Sequence, residues 1–362
     1  VSVTFIHSPL KNKNPTIDIV KGMAIILVVY GHVIEHGMAP QGRDFFLNPV
    51  FKVIYTFHMP LFVFISGYLM ALSLGRRPPL EVFKRKFDSL LVPFVSLTIL
   101  GIIVSYGLNI IFANNMGVVN FLQDLLDQLL LKPSVWFLFT LFILNCLLLC
   151  AMNWEKRLGP AIFWGVYFLV LIIPYNDYFC FYYIKWFYLF FLVGYLISKY
   201  GLSLTHQTIP MVVLGISVII FISLLPYWTP QDYIYINRMN FESHQYVYEI
   251  LKIMYRYMMG FLGIMISFYT GEFLTKTPLA SLLGRVGTYS LDIYIIQMCI
   301  VEGIYPRLVY KTHVYVDFNS PWVLYVFAPL LVMFFVWLCM LISKHLIRKD
   351  LLLSRLLLGG RV

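Results

Sequence analysis

The residues able to do acid–base chemistry in this chain are embedded in its most apolar stretches. The segment Ile17-Asp-Ile-Val-Lys-Gly-Met-Ala-Ile-Ile-Leu-Val-Val-Tyr-Gly-His32 contains Asp18, Lys21 and His32, and Glu35 and His36 follow at once. On a helix, eleven residues make three turns plus about 20°, so Lys21 and His32 leave one face roughly 16 Å apart along the axis. Glu35, three residues beyond His32, shares that face and lies within reach of the imidazole. An imidazole held by a carboxylate is a general base for a weak nucleophile such as a hydroxyl. Lys21 sits at the inner mouth of this span and His32 deep toward its outer side. The structural alternatives are a lysine that snorkels to the headgroups and a histidine at an interfacial helix end.

A second polar set lies in Phe57-His-Met-Pro-Leu-Phe-Val-Phe-Ile-Ser-Gly-Tyr68. Pro60 removes a backbone donor from the helix that this segment forms. His58 beside it either faces the same cavity as His32 or hydrogen-bonds the interrupted helix. Lys185, Lys252, Arg256, Asp292, Gln297 and Glu302 also fall inside apolar blocks. Charges there are costly, so each is a functional candidate. Salt bridges from Asp292 and Glu302 to Lys252 or Arg256 are the structural alternative. The cysteines (Cys146, Cys150, Cys180, Cys299, Cys339) form no Cys-x-x-Cys pair and have no His at metal-ligand spacing. They read as small buried hydrophobes, and no metal site is expected.

The elements that must hold these groups are membrane helices. Of 362 residues, 60% are hydrophobic and 12% charged, about half the charged share a soluble domain carries. The apolar residues fall in blocks near the length that crosses roughly 30 Å of hydrocarbon. Ten spans are expected, over 17–38, 48–75, 88–113, 135–153, 159–174, 181–199, 209–226, 247–270, 286–309 and 322–347. The fold class is therefore all-α, a polytopic membrane helix bundle forming a single domain over 1–362. The first block lacks a small-residue cleavage site and reads as a retained span.

An even span count puts both termini on one side. If that side is cytoplasmic, the inner loops hold roughly 18 Lys and Arg against roughly nine outside, the asymmetry expected of a cell (inner) membrane protein. Arg76, Arg77, Lys84, Arg85 and Lys86 dominate the first inner loop. The net charge of +10 is thus distributed for a lipid surface, and nucleic acid is set aside as a partner. Residues 118–131 and the Leu-rich tail after Lys349 pattern as amphipathic helices on a membrane face. The outer loop 227–246, rich in Tyr and Trp, is either an acceptor-binding element or a plain cap.

The stretch from Asp18-Ile-Val-Lys-Gly22 through Gly31-His32 resembles the opening motif of the acyltransferase-3 family of integral membrane acyltransferases. Within that family it is most similar to the fucose 4-O-acetylase-like branch. Phe57 to Tyr68, the basic run from Lys84 to Pro93, Trp136-Phe-Leu138 and Gly287-Thr-Tyr-Ser-Leu-Asp-Ile-Tyr294 are similar to its later motifs, in the same order. Two departures stand out. Many members have Arg where this chain has Lys21, which keeps the charge but loses the bidentate fork. Many have His where this chain has Gln297, which removes a titratable group.

The resemblance implies transfer of an acyl group, most often acetyl, from cytoplasmic acyl-CoA (acetyl-CoA) to a hydroxyl of an extracytoplasmic glycan or lipid-linked sugar. In that scheme Lys21, Arg76, Arg85 and Lys86 hold the CoA phosphates, His32 is the base and Glu35 its orienter. Asp18, His58, Tyr294, Gln297 and Arg256 are further site residues, and direct transfer and an acyl-His intermediate both stay open. A lipid-linked glycan flippase is the chief rival, but the chain has no inverted repeat with matching broken spans. A glycan polymerase would carry longer, Arg-rich outer loops.

Overall fold

Two asparagine–proline pairs open the helices that carry the polar clusters. Asn14 Oδ1 accepts the Thr16 N–H at 3.0 Å and Pro15 occupies the first turn, starting α1 (Pro15–Gly37). Asn48 repeats the device, accepting from Val50 and Phe51 at 3.0 and 3.1 Å, and starts α2 (Pro49–Leu74). The Asn48 amide also donates to the Phe318 carbonyl at 3.1 Å, tying the start of α2 to the approach to the last span. The computed structural model describes residues 14–38, 44–111, 121–131, 135–173, 178–202, 211–234, 236 and 246–360.

Among these residues the protein is all helix. After α2 come α3 (Pro79–Lys86), α4 (Val92–Ile111), α5 (Phe121–Leu130), α6 (Trp136–Leu158), α7 (Ala161–Ile172), α8 (Phe181–Lys199) and α9 (Met211–Leu224). The rest is α10 (Tyr246–Leu274), α11 (Leu279–Thr288), α12 (Ser290–Gln297), α13 (Tyr305–Thr312), α14 (Ala328–Ile342) and α15 (Leu351–Leu358). Eight helical stretches are long and apolar enough to cross a membrane, and Ala161–Ile172 and Met211–Tyr227 are shorter apolar helices. These ten segments fall where the ten spans were expected. The multi-pass membrane bundle follows from them.

Two boundaries differ from the sequence reading. The basic residues Lys84, Arg85 and Lys86 are not in a loop; they form the last turn of α3, which runs through a π-helical turn, Phe87–Leu91, into α4. The expected ninth span began at 286, but 286–288 belong to α11, a separate helix lying against α1. The span itself is α12, a π-helical segment Met298–Ile304 and α13. Of the two expected amphipathic helices, α5 covers most of the first and α15 the second.

Small residues set how closely the helices approach. A Cβ on Gly287 would stand 1.7 Å from the Asp18 carbonyl oxygen, and one on Gly22 2.1 Å from that of Leu283. The α1 and α11 backbones therefore touch, with Gly22 and Gly287 facing each other. Gly67 and Gly194 lock α2 to α8 in the same way, each against the other helix's carbonyl.

The ion pairs correct the sequence reading. Asp292, 1% exposed, accepts from the Arg348 Nε at 2.8 Å and from the Ser343 hydroxyl. Lys252 pairs with Asp232 at 3.3 Å. Asp292 thus anchors the start of the tail rather than α10, because it sits at the end of its span where Arg348 emerges.

Candidate active site

His32 opens onto a cavity of about 200 Å³ enclosed by α1, α2, α6, α8, α10 and the α12–α13 span. Its walls are rich in aromatic rings: Trp136 on α6, Tyr183, Trp186 and Phe187 on α8, and Trp228 and Tyr233 from the loop after α9. Charged and polar groups are few and converge, the usual composition of a small-molecule site.

The imidazole stands between two carboxylates. Nδ1 is 3.4 Å from Glu35 Oε2, and Nε2 is 3.4 Å from Glu302 Oε1. Both are longer than a charge-assisted hydrogen bond of about 2.8 Å, as is common for catalytic groups before substrate binds. Glu35 is itself held, since the Tyr55 hydroxyl donates to the same Oε2 at 3.2 Å. Gly31 makes that possible: a Cβ there would lie 2.5 Å from the Tyr55 ring. The Gly31-His32 dipeptide therefore lets an aromatic hydroxyl from α2 reach the carboxylate beside the imidazole.

Glu302 reaches His32 because the ninth span is π-helical there. In a π-helix, i→i+5 bonding brings residues five apart onto one face. The Gln297 Nε2 donates to Glu302 Oε1 at 2.9 Å across that interval. Fully buried Gln297 thus positions Glu302 by donating an amide N–H to its carboxylate.

His58, 4% exposed, also lines the cavity. Its Nδ1 lies 2.8 Å from the Ile54 carbonyl, which can only accept, so Nδ1 carries the proton and Nε2 is left as an acceptor. His58 therefore lines the same cavity as His32 and also bonds its own helix, at the Ile54 carbonyl rather than at the Thr56 carbonyl that Pro60 frees. Arg256 on α10 is 1% exposed and lays its guanidinium over the Trp186 ring at 4.6 Å, a cation–π contact. Tyr294 completes the wall. Asp232 stays buried by accepting the Thr229 N–H at 2.8 Å, which fixes the turn carrying Trp228 and Tyr233. The described part of the 227–246 loop is thus a wall of the cavity; residues 235 and 237–245 lie outside the described residues.

At the other end of α1, Lys21 pairs with Asp18 at 2.7 Å. Asp18 borders a second cavity of about 300 Å³, formed with α11 and lined by Arg285. Arg85 Nε and Arg77 Nε both contact Glu81 Oε1, at 3.0 and 3.2 Å. The helix α3, which carries Arg85 and Lys86, packs on α2 and α6, and α1, which carries Lys21, packs on α11 and α2. The structure brings together His32, Glu35, His58, Tyr294, Arg256 and, through Glu302, Gln297.

Sequence reasoning missed Tyr55, Trp186, Trp228, Asp232 and the part Glu302 plays. An acidic group inside an apolar block was the signal for Glu302. Its π-helical register left no mark in the residue pattern. Donor atoms of His32, His36 and Glu302 also lie within 4.8 Å of one another, a spacing that a metal ion can bridge.

The comparison with known families turns on nearly the whole chain. Residues 14–344 match the acyltransferase-3 family, described as an acyltransferase domain. The chain belongs to this family. Two curated relatives are nodulation proteins NolL. The one from Sinorhizobium fredii is 42% identical over 84 residues, 23% of this chain and 23% of that protein. The one from Mesorhizobium japonicum is 33% identical over 138 residues, 36% of this chain and 34% of that protein. The matched stretches thus span about a quarter to a third of these relatives. No solved structure matches the chain. Of the motifs named from the sequence, Gly31-His32, His58, Trp136 and Tyr294 lie at the cavity, Asp18, Gly22 and Gly287 form the α1–α11 contact, and Lys84 to Pro93 runs from α3 into α4.

Proposed function

We propose that this protein is an O-acyltransferase that moves an acyl group, in the simplest case acetyl, from cytoplasmic acyl-CoA to a hydroxyl of an extracytoplasmic glycan. The observation that carries this reading is His32 set between Glu35 and Glu302 on an aromatic cavity, with Lys21 three turns away at the opposite end of the same helix. Glu35 takes the Nδ1–H and fixes the tautomer, leaving Nε2 to receive the hydroxyl proton. The hydroxyl oxygen attacks the thioester carbonyl; the new C–O bond forms, the C–S bond breaks, and the imidazolium returns the proton to the departing thiolate. Glu35 and Glu302 stabilise the imidazolium while it carries that proton. The aromatic walls offer faces on which a sugar ring and the pantetheine arm can pack.

On this reading Lys21 and Arg285, on the two helices that meet at the other end, hold CoA phosphates, with Arg76, Arg85 and Lys86 as a wider basic field. Acetyl-CoA binding to the purified protein, followed by calorimetry, should weaken as salt rises because such contacts are screened. Lys21→Ala should cost about 1.5–3 kcal/mol, the range for hydrogen bonds to a charged group. Lys21→Arg should bind as well or better, since the guanidinium supplies a fork. A folded wild type that binds no acyl-CoA would point to the flippase reading instead.

The scheme also requires that the Lys21 end face the cytoplasm, with both termini there. Cysteine labels at Asn319 should react from outside intact cells, and those at Ser73 and Lys349 only after permeabilisation. The reverse pattern would put the donor site where no CoA exists and end the proposal.

A further inference from the structure

Transfer between two substrates needs two approaches to one base, and the structure has a second approach to His32. A groove of about 420 Å³ runs between α4, α5 and the ninth span, and Met298 and Glu302 line both this groove and the aromatic cavity. The two spaces therefore meet at the Nε2 side of His32. The groove's far part is polar. Tyr106 donates to Asp124 at 2.5 Å, Arg307 donates to the Gly303 carbonyl at 2.6 Å, and Asp127 lies alongside.

Among the described residues the groove is lined by three carboxylates, Asp124, Asp127 and Glu302, and one guanidinium, Arg307, a balance that disfavours a polyphosphate. Hydroxyl, carboxylate, amide and guanidinium groups together are instead suited to a polyhydroxylated ligand. One wall is apolar and open: Leu100 lines the groove and is 36% exposed, and the neighbouring Ile99 and Ile103 are 38% and 54% exposed on the same span. In a membrane these side chains meet lipid.

Resting on the acyltransferase reading, we infer that this groove is the acceptor site and that the acceptor is a lipid-linked saccharide. It enters sideways from the bilayer, with its sugar along Asp124, Asp127 and Arg307 and its lipid along α4, so that a hydroxyl arrives at Glu302 and His32.

Gly101 gives a clean test. It lines the groove, and a Cβ there would meet nothing within 4 Å, so the backbone accepts a side chain at this position and a large one takes up groove space. Gly107, on the same helix and equally unobstructed, does not line it and serves as the control. Membranes of source cells carrying each variant would be given acetyl-CoA labelled in the acetyl group. With wild type and Gly107→Trp, label should enter an organic-extractable saccharide before any water-soluble or polymeric glycan. Gly101→Trp should lower that incorporation at least tenfold, while acetyl-CoA binding to the purified variant stays within twofold of wild type. Label appearing first in water-soluble or polymeric glycan would overturn the inference, as would an active Gly101→Trp. No incorporation by wild type at all would overturn the acyltransferase reading and this one with it.

Discussion

Purified His32→Ala is expected to lose acyl transfer by roughly a hundred- to ten-thousand-fold, the range for a positioned general base. The loss should fall on kcat, because a sugar hydroxyl is not appreciably ionised near neutral pH and binding alone does not supply the missing acceptor for its proton. Folding should survive. His32 makes two contacts of 3.4 Å with groups that are themselves anchored, Glu35 by Tyr55 and Glu302 by Gln297. Glu302→Gln and Glu35→Gln should each give a partial loss, since either amide keeps the shape but not the charge beside the imidazolium. Transfer of labelled acetyl by detergent-purified variants, with size-exclusion profiles alongside, measures both points. Wild-type rates from His32→Ala would end the mechanism.

Gly287→Ala should destabilise the protein although it improves the local helix. Propensity alone favours Ala over Gly by about 1 kcal/mol in a helix interior. Against that stands a Cβ placed 1.7 Å from the Asp18 carbonyl oxygen. The obstructing atom is backbone on a helix packed from several sides, so it cannot swing away as a side-chain tip would. Overpacking of this kind costs about 1–3 kcal/mol or more, and here the cost wins. Gly284, one turn earlier on α11, has nothing within 4 Å of its would-be Cβ. Gly284→Ala should therefore raise the midpoint of thermal unfolding and Gly287→Ala lower it. A rise at both positions would show that the two helices do not touch.

The same contrast explains what was legible in the sequence. The bundle was readable because lipid imposes length: each apolar block near span length became a helix, and the two shortest, Ala161–Ile172 and Met211–Tyr227, still fall in place. The His32–Glu35 pair was readable because its partners lie one turn apart. Partners distant in sequence were not. Asp292 was paired with α10 by proximity of spans, whereas the structure gives it to Arg348. Glu302 was offered a salt-bridge role, yet a π-helical turn rotates it onto His32. The glycine motifs read as markers of a family; that Gly22 and Gly287 meet each other is a fact of packing between helices at opposite ends of the chain.

That last arrangement governs how the protein must be made. The helix bearing His32 emerges before the later helices it packs against, α10, α11, α12 and α14, and Asn48 bonds to a carbonyl 270 residues later. At roughly 5–20 residues per second of synthesis, that partner follows tens of seconds after Asn48 is made. During that interval a span carrying lysine, histidine and glutamate waits in the membrane with its polar face uncovered. Shelter for that face, from the insertion machinery or from α2, is therefore a requirement of biogenesis, and a ribosome stalled before the ninth span would leave an intermediate whose His32 has met only one of its two carboxylates.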